Sequence, residues 1–127
     1  MLIENTIKAP KVFFGELGGL HDAFITAFSW NKENQTFSIS IDDLNSNFLD
    51  LPEYKGLCPV DIVFVGVCNL DCNIQIKSSN FSIYDFLIEE ETCYSVNIKC
   101  SPGGYFKCQC ETIKLIEKNK SEKIKGS

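Results

Sequence analysis

Two runs of alternating residues on either side of a polar break constrain this chain more than anything else in it. Residues 23–30 place Phe24, Thr26, Phe28 and Trp30 on one face, with Ile25, Ala27 and Ser29 opposite. Residues 36–43 alternate Phe37, Ile39 and Ile41 with Ser38, Ser40 and Asp42. A period of two sends successive side chains to opposite faces of a strand. The intervening Asn31-Lys32-Glu33-Asn34-Gln35 is short and polar, so the pair predicts a β-hairpin.

The rest of the chain also reads mainly as strand. Residues 60–68 (VDIVFVGVC) are nearly continuous in Val, Ile and Phe, as expected of a strand covered on both faces, and residues 73–77 alternate around Ile74 and Ile76. Residues 81–88 fit a helical stripe or a strand, and strand is the better reading. Residues 93–100 align Tyr94, Val96, Ile98 and Cys100, then Ser101-Pro102-Gly103-Gly104 turns the chain into a long strand over 105–117, a second hairpin. Before the first hairpin, the alternation in residues 3–14 is weakened by Pro10, which predicts a short or edge strand. Helix is expected to be limited to a turn or two within 15–20, 44–55 or 81–87. About seven strands with little helix predict an all-β, mainly antiparallel fold, either a sandwich or a curled, partly open barrel.

With 127 residues the chain suits a single domain, placed here at residues 1–117, followed by a polar tail at 118–127. An apolar share of 44% and ten Phe exclude a disordered chain. No run approaches the roughly 18 apolar residues of a membrane-spanning helix. Residues 1–5 offer no basic segment and no long apolar one, so a cytoplasmic address is expected. Residues 1–117 hold eight Lys against sixteen Asp and Glu, a net of −8, and there is no Arg anywhere. An acidic body without Arg argues against nucleic acid and leaves basic proteins, cations or uncharged partners.

Seven cysteines form an odd set without Cys-x-x-Cys spacing, so neither a disulfide framework nor a zinc ribbon is expected. Cys108 and Cys110 would share a strand face, where a metal between them is conceivable. The stronger reading treats the thiols as small buried hydrophobes, and no metal or cofactor is expected. His21-Asp22 is the only adjacent base and carboxylate, and follows Gly18-Gly19 at the entrance to the first hairpin. Neighbours on a strand point apart, so the two would act together only if the backbone turns there. Asp42, Asp43, Asp50 and Glu53 concentrate negative charge between the second and third strands, suited to a basic partner or a calcium ion, although no EF-hand spacing is present. The run Glu89-Glu90-Glu91 reads as a solvated strand end.

Leu20-His21-Asp22-Ala23, the aromatic-rich strand to Trp30, the short polar turn, the Ile-rich strand ending Asp42-Asp43 and the later stretch Asp61-Ile62-Val63-Phe64-Val65-Gly66-Val67 resemble a family of small bacterial β-rich proteins. Some of its members are grouped with the immunity proteins of polymorphic toxin systems, and many are uncharacterised. The resemblance covers residues 16–116. It implies a compact β domain that acts by binding, and it carries over no catalytic residue. Two function classes follow. One is a non-enzymatic protein-binding module, an antitoxin-like inhibitor whose acidic surface, with His21, Asp22, Asp42, Asp43, Asp50 and Glu53 as binding residues, covers a basic toxin domain. The other is a small hydrolase or metal-dependent enzyme built on His21 and Asp22.

Overall fold

A computed structural model describes residues 2–76 and 80–118. The strands are β1 (Leu2–Thr6), β2 (Ile25–Asn31), β3 (Thr36–Ile41), β4 (Val60–Val65), β5 (Asn69–Ile74), β6 (Ser82–Glu90), β7 (Tyr94–Ser101), β8 (Gly104–Cys110) and β9 (Thr112–Lys118). They form two antiparallel sheets, ordered β1-β9-β4-β3-β2 and β5-β8-β7-β6. The architecture is therefore sandwich-like and mainly antiparallel, with no closed barrel. Both expected hairpins are present, β2 with β3 and β7 with β8. Residues 82–88 lie in strand, as read, with Phe81 just before it. The end of the 73–77 stretch and residues 119–127 of the tail lie outside the described residues.

Three local expectations are corrected. The long strand over 105–117 is two strands in different sheets. Phe106, Cys108 and Cys110 are buried in one, Ile113 and Leu115 in the other. The inward phase thus moves from even to odd numbers, which one regular strand cannot do. The chain changes sheet at Glu111, whose N–H donates to the Val65 carbonyl at 2.9 Å.

Pro10 does not blunt a strand but opens a helix, α1 (Pro10–Glu16). Its fixed φ suits the first helical position, where no N–H is needed. The helix lays Phe14 into the core, stacked on Phe86 with ring centroids 4.4 Å apart. Finally, a β-bulge between Ile25 and Ala27 breaks the single face expected for Phe24, Thr26, Phe28 and Trp30. Ile25 faces inward opposite Ile41, and beyond the bulge it is Phe28 and Trp30 that oppose the buried Ile39 and Phe37.

One contiguous core fills the space between the sheets. Ile39, Ile62, Phe64 and Ile113 from the first sheet meet Ile83, Phe86, Ile98 and Phe106 from the second. The Phe37 and Phe106 centroids are 5.5 Å apart, and those of Phe64 and Phe86 are 6.3 Å apart, so aromatic contacts tie the layers together. The sheets also share a corner. Ile25 N–H donates to the Phe81 carbonyl at 2.9 Å and Ile83 N–H to the Ala23 carbonyl at 2.8 Å, locking the entry of β2 to the start of β6. That corner fixes the position of the segment just before it, residues 17–22.

Candidate functional site

The segment before β2 turns because its backbone enters the left-handed region repeatedly. Gly18 and Gly19 have φ of 69° and 66°, and they are followed by Leu20 at 55° and Asp22 at 72°. Non-glycine residues rarely adopt such values, and Leu20 is held there by complete burial. A Cβ on Gly18 would collide with the Asn47 side chain, so glycine lets the 3₁₀ turn at Ser46–Phe48 sit against this segment. Ser46 Oγ donates to the His21 carbonyl at 2.9 Å across that contact. The backbone does turn between His21 and Asp22. Nδ1 and Oδ2 lie 3.3 Å apart, with the side chains 44% and 74% exposed. The His21 ring meets Tyr84 edge-on at 5.7 Å.

The loop from Asp42 to Cys58 is braced from within. Asp42 Oδ1 accepts the Phe24 N–H at 2.8 Å, which binds the loop to the start of β2. Asp43 is buried, and both its oxygens are engaged. Oδ1 accepts the N–H groups of Asn45 and Cys58 at 3.0 and 3.1 Å, and Oδ2 accepts the Tyr54 hydroxyl at 2.8 Å. The Asn45 side-chain amide closes the loop further by donating to the Gly56 carbonyl at 2.9 Å. Its hydrogen bond to Asp43, with Asp42 and Asp50 adding negative charge nearby, pushes the Tyr54 hydroxyl up to about 12.

Asp50 and Glu53 stand exposed on the same loop, Asp50 with φ of 69°. Leu49, Leu51 and Leu57 are 57%, 49% and 45% exposed beside them. The fold thus unites two segments about twenty residues apart in sequence into one acidic shoulder studded with leucines.

The six residues singled out from sequence fall in this one region but differ in what they can do. His21, Asp22, Asp50 and Glu53 present side chains to solvent, Asp42 is half-buried, and Asp43 is internal. The sequence reading missed the three leucines. Their only signal was apolar residues interleaved with Asp, Pro and Glu in a stretch too broken for a strand. The exposed His21–Asp22 pair lines neither the concavity of ≈ 730 Å³ on the outer face of the second sheet nor that of ≈ 540 Å³ beside α1.

Cys108 and Cys110 do share a face, but it is the core face. The neighbouring Cys110 thiol and burial push Cys108 well above the usual range, while Cys110 is lowered by the same proximity. Among the described residues no three His, Cys, Asp or Glu side chains gather as metal ligands would.

Comparison with known proteins supplies the family. No curated protein matches the sequence. The family model described as Immunity protein 50 matches residues 5–120, which takes in both sheets and the acidic shoulder. The chain therefore belongs to the Immunity protein 50 family.

Proposed function

We propose that this chain is a cytoplasmic, non-enzymatic inhibitor that neutralises a basic toxin domain by covering it with the acidic shoulder. Membership of an immunity-protein family supports a toxin as the partner. One observation supports the surface: Leu49, Leu51 and Leu57 are exposed on a loop that Asp43 braces from within and that also carries Asp42, Asp50 and Glu53. Apolar anchors within a charged rim are the usual anatomy of a specific protein interface. A preformed loop also loses less conformational freedom on binding than a floppy one. The positive φ values at Leu20, Asp22 and Asp50 concentrate backbone strain in the same region, where strain is most often tolerated for function.

Co-expression with each polymorphic toxin domain in a panel of candidates tests the reading. The wild-type chain is expected to restore growth. The triple variant Asp22→Asn, Asp50→Asn, Glu53→Gln is expected to lose protection while melting at an unchanged temperature, since these side chains are exposed. Full protection by the triple variant would reject this surface, and failure of the wild type to protect would reject the toxin reading itself.

A further inference from the structure

The outer face of the second sheet holds a concavity of ≈ 730 Å³, and no residue of the acidic shoulder lines it. Its floor is two complete cross-strand rows. Asn69, Gln109, Ser95 and Glu89 make the first row, taken in turn from β5, β8, β7 and β6. Asp71, Lys107, Asn97 and Leu87 make the second in the same order. Residues two apart on a strand share a face, so both rows point outward. Four strands spaced about 4.8 Å apart make each row a track about 14 Å long. The volume lies within the roughly 300–1,000 Å³ of small-ligand sites.

The charges on this floor are already engaged. Asp71 Oδ2 accepts the Tyr105 hydroxyl at 3.2 Å, Lys107 Nζ lies 4.6 Å from the centroid of the same ring, and Glu89 pairs with Lys11 at 3.5 Å. What is left unmatched is neutral. Asn97 Oδ1 is buried and accepts no hydrogen bond from any described residue. Native proteins pair nearly all such groups, so this one calls for a donor from outside the chain. Its cross-strand neighbours are Leu87 and Lys107, two exposed and flexible side chains.

We propose that this face binds a neutral saccharide lying across the strands, with a ring hydroxyl donating to Asn97 Oδ1 as Leu87 or Lys107 swings aside. The chemistry of the floor selects the class. An ionic ligand would have to break a contact that a floor charge already makes, and would gain little in exchange. The side-chain amides of Asn69, Asn97 and Gln109 and the Ser95 hydroxyl each donate and accept, as sugar hydroxyls do, so the two surfaces can match group for group. Leu87, 42% exposed at the end of the second row, offers apolar surface to the C–H face of a pyranose ring. Linked pyranose rings also repeat their hydroxyls at intervals close to the strand spacing, whereas an extended peptide advances about 3.4 Å per residue and falls out of step. The site is independent of toxin binding, so either can fail alone.

NMR of the full chain titrated with maltose, cellobiose and N,N′-diacetylchitobiose at millimolar concentrations tests the proposal. At least one is expected to shift the side-chain amide signals of Asn69, Asn97 and Gln109 saturably, leaving the His21 ring signals in place. That mapping needs no variant to fold. Asn97→Ala is expected to weaken the binding by roughly fivefold or more at an unchanged melting temperature, because it removes an acceptor that has no donor in the free chain. Leu87→Ala, exposed on the edge strand, is expected to weaken it as well and serves where Asn97→Ala does not fold. Glucosamine and glucuronate, charged forms of the same ring, are expected to bind no more tightly than the neutral sugars. The absence of a saturable shift with all three neutral sugars, or shifts that map outside the two rows, overturns the proposal. So does binding that the folded variants leave intact, or tighter binding of either charged sugar.

Discussion

The Asp43 carboxylate holds together the excursion between β3 and β4, residues 42–59, which has no regular secondary structure beyond one 3₁₀ turn. Two backbone N–H groups and a phenol converge on it, and a buried acceptor with three donors is worth far more than an exposed ion pair. Asp43→Ala would strand the Asn45 and Cys58 amides, so a loss of about 3 kcal/mol is expected in urea unfolding. Asp50→Asn, exposed on the same loop, is expected to leave stability within about 0.5 kcal/mol.

The Tyr54 partner gives a pH signature. Its folded-state value, pushed from 10.0 to about 12, lies above the unfolded one, so its contribution is complete below pH 10 and disappears as pH rises through about 12. Absorbance titration is expected to show one of the four tyrosines ionising near 12, and Tyr54→Phe to remove that step. Persistence of the step in Tyr54→Phe would place the perturbed phenol elsewhere.

Among the elements, the hairpin of β7 and β8 depends on a backbone that only glycine supports. Gly104 has φ of 99°, and a Cβ there would lie 2.5 Å from the Asn73 carbonyl oxygen of the neighbouring β5. Gly104→Ala is therefore expected to cost more than about 1 kcal/mol, whereas Gly103→Ala, with open space around it, is expected to be neutral or slightly stabilising. Equal midpoints in urea would contradict this account of the turn. The two hairpins were legible in sequence because alternation is a local property, and burial confirms the inward positions of β3 and β7.

The misreadings arose where the signal was local but the cause was not. Pro10 breaks an alternation equally well by ending a strand or by starting a helix, and the choice is made by Phe14 finding Phe86 across the sandwich. The step from Cys110 to Ile113 contained the phase change that marks a sheet crossing, but within one unbroken apolar pattern it reads as a single strand. The six candidate side chains could each be picked out in sequence. The packing of residues 18–22 against 46–48 could not, because it rests on the space left by a missing Cβ at Gly18 and on the Ser46 bond to His21.

For the molecule as a whole, charge and apolar surface should govern different steps of the same encounter. The acidic body extends its field over about 10 Å at ~0.1 M salt, far enough to guide a basic domain before contact. The leucines act only once water is expelled between the surfaces. With purified toxin, stopped-flow association is therefore expected to slow steeply as salt rises. Neutralising Asp22, Asp50 and Glu53 is expected to lower the on-rate and flatten that salt dependence, with little change in dissociation. Leu51→Ala should do the converse. Its side chain is 49% exposed in the free chain, so stability should hold, the on-rate should change little, and dissociation should speed up by tenfold or more if it is an anchor worth about 1.4 kcal/mol. The two sets of substitutions then separate steering from grip on one surface. Loss of affinity in both through the same rate constant would mean that leucines and carboxylates do not face the toxin together. An association rate indifferent to salt would remove the basic partner from the account altogether, leaving the apolar loop to bind without electrostatic guidance.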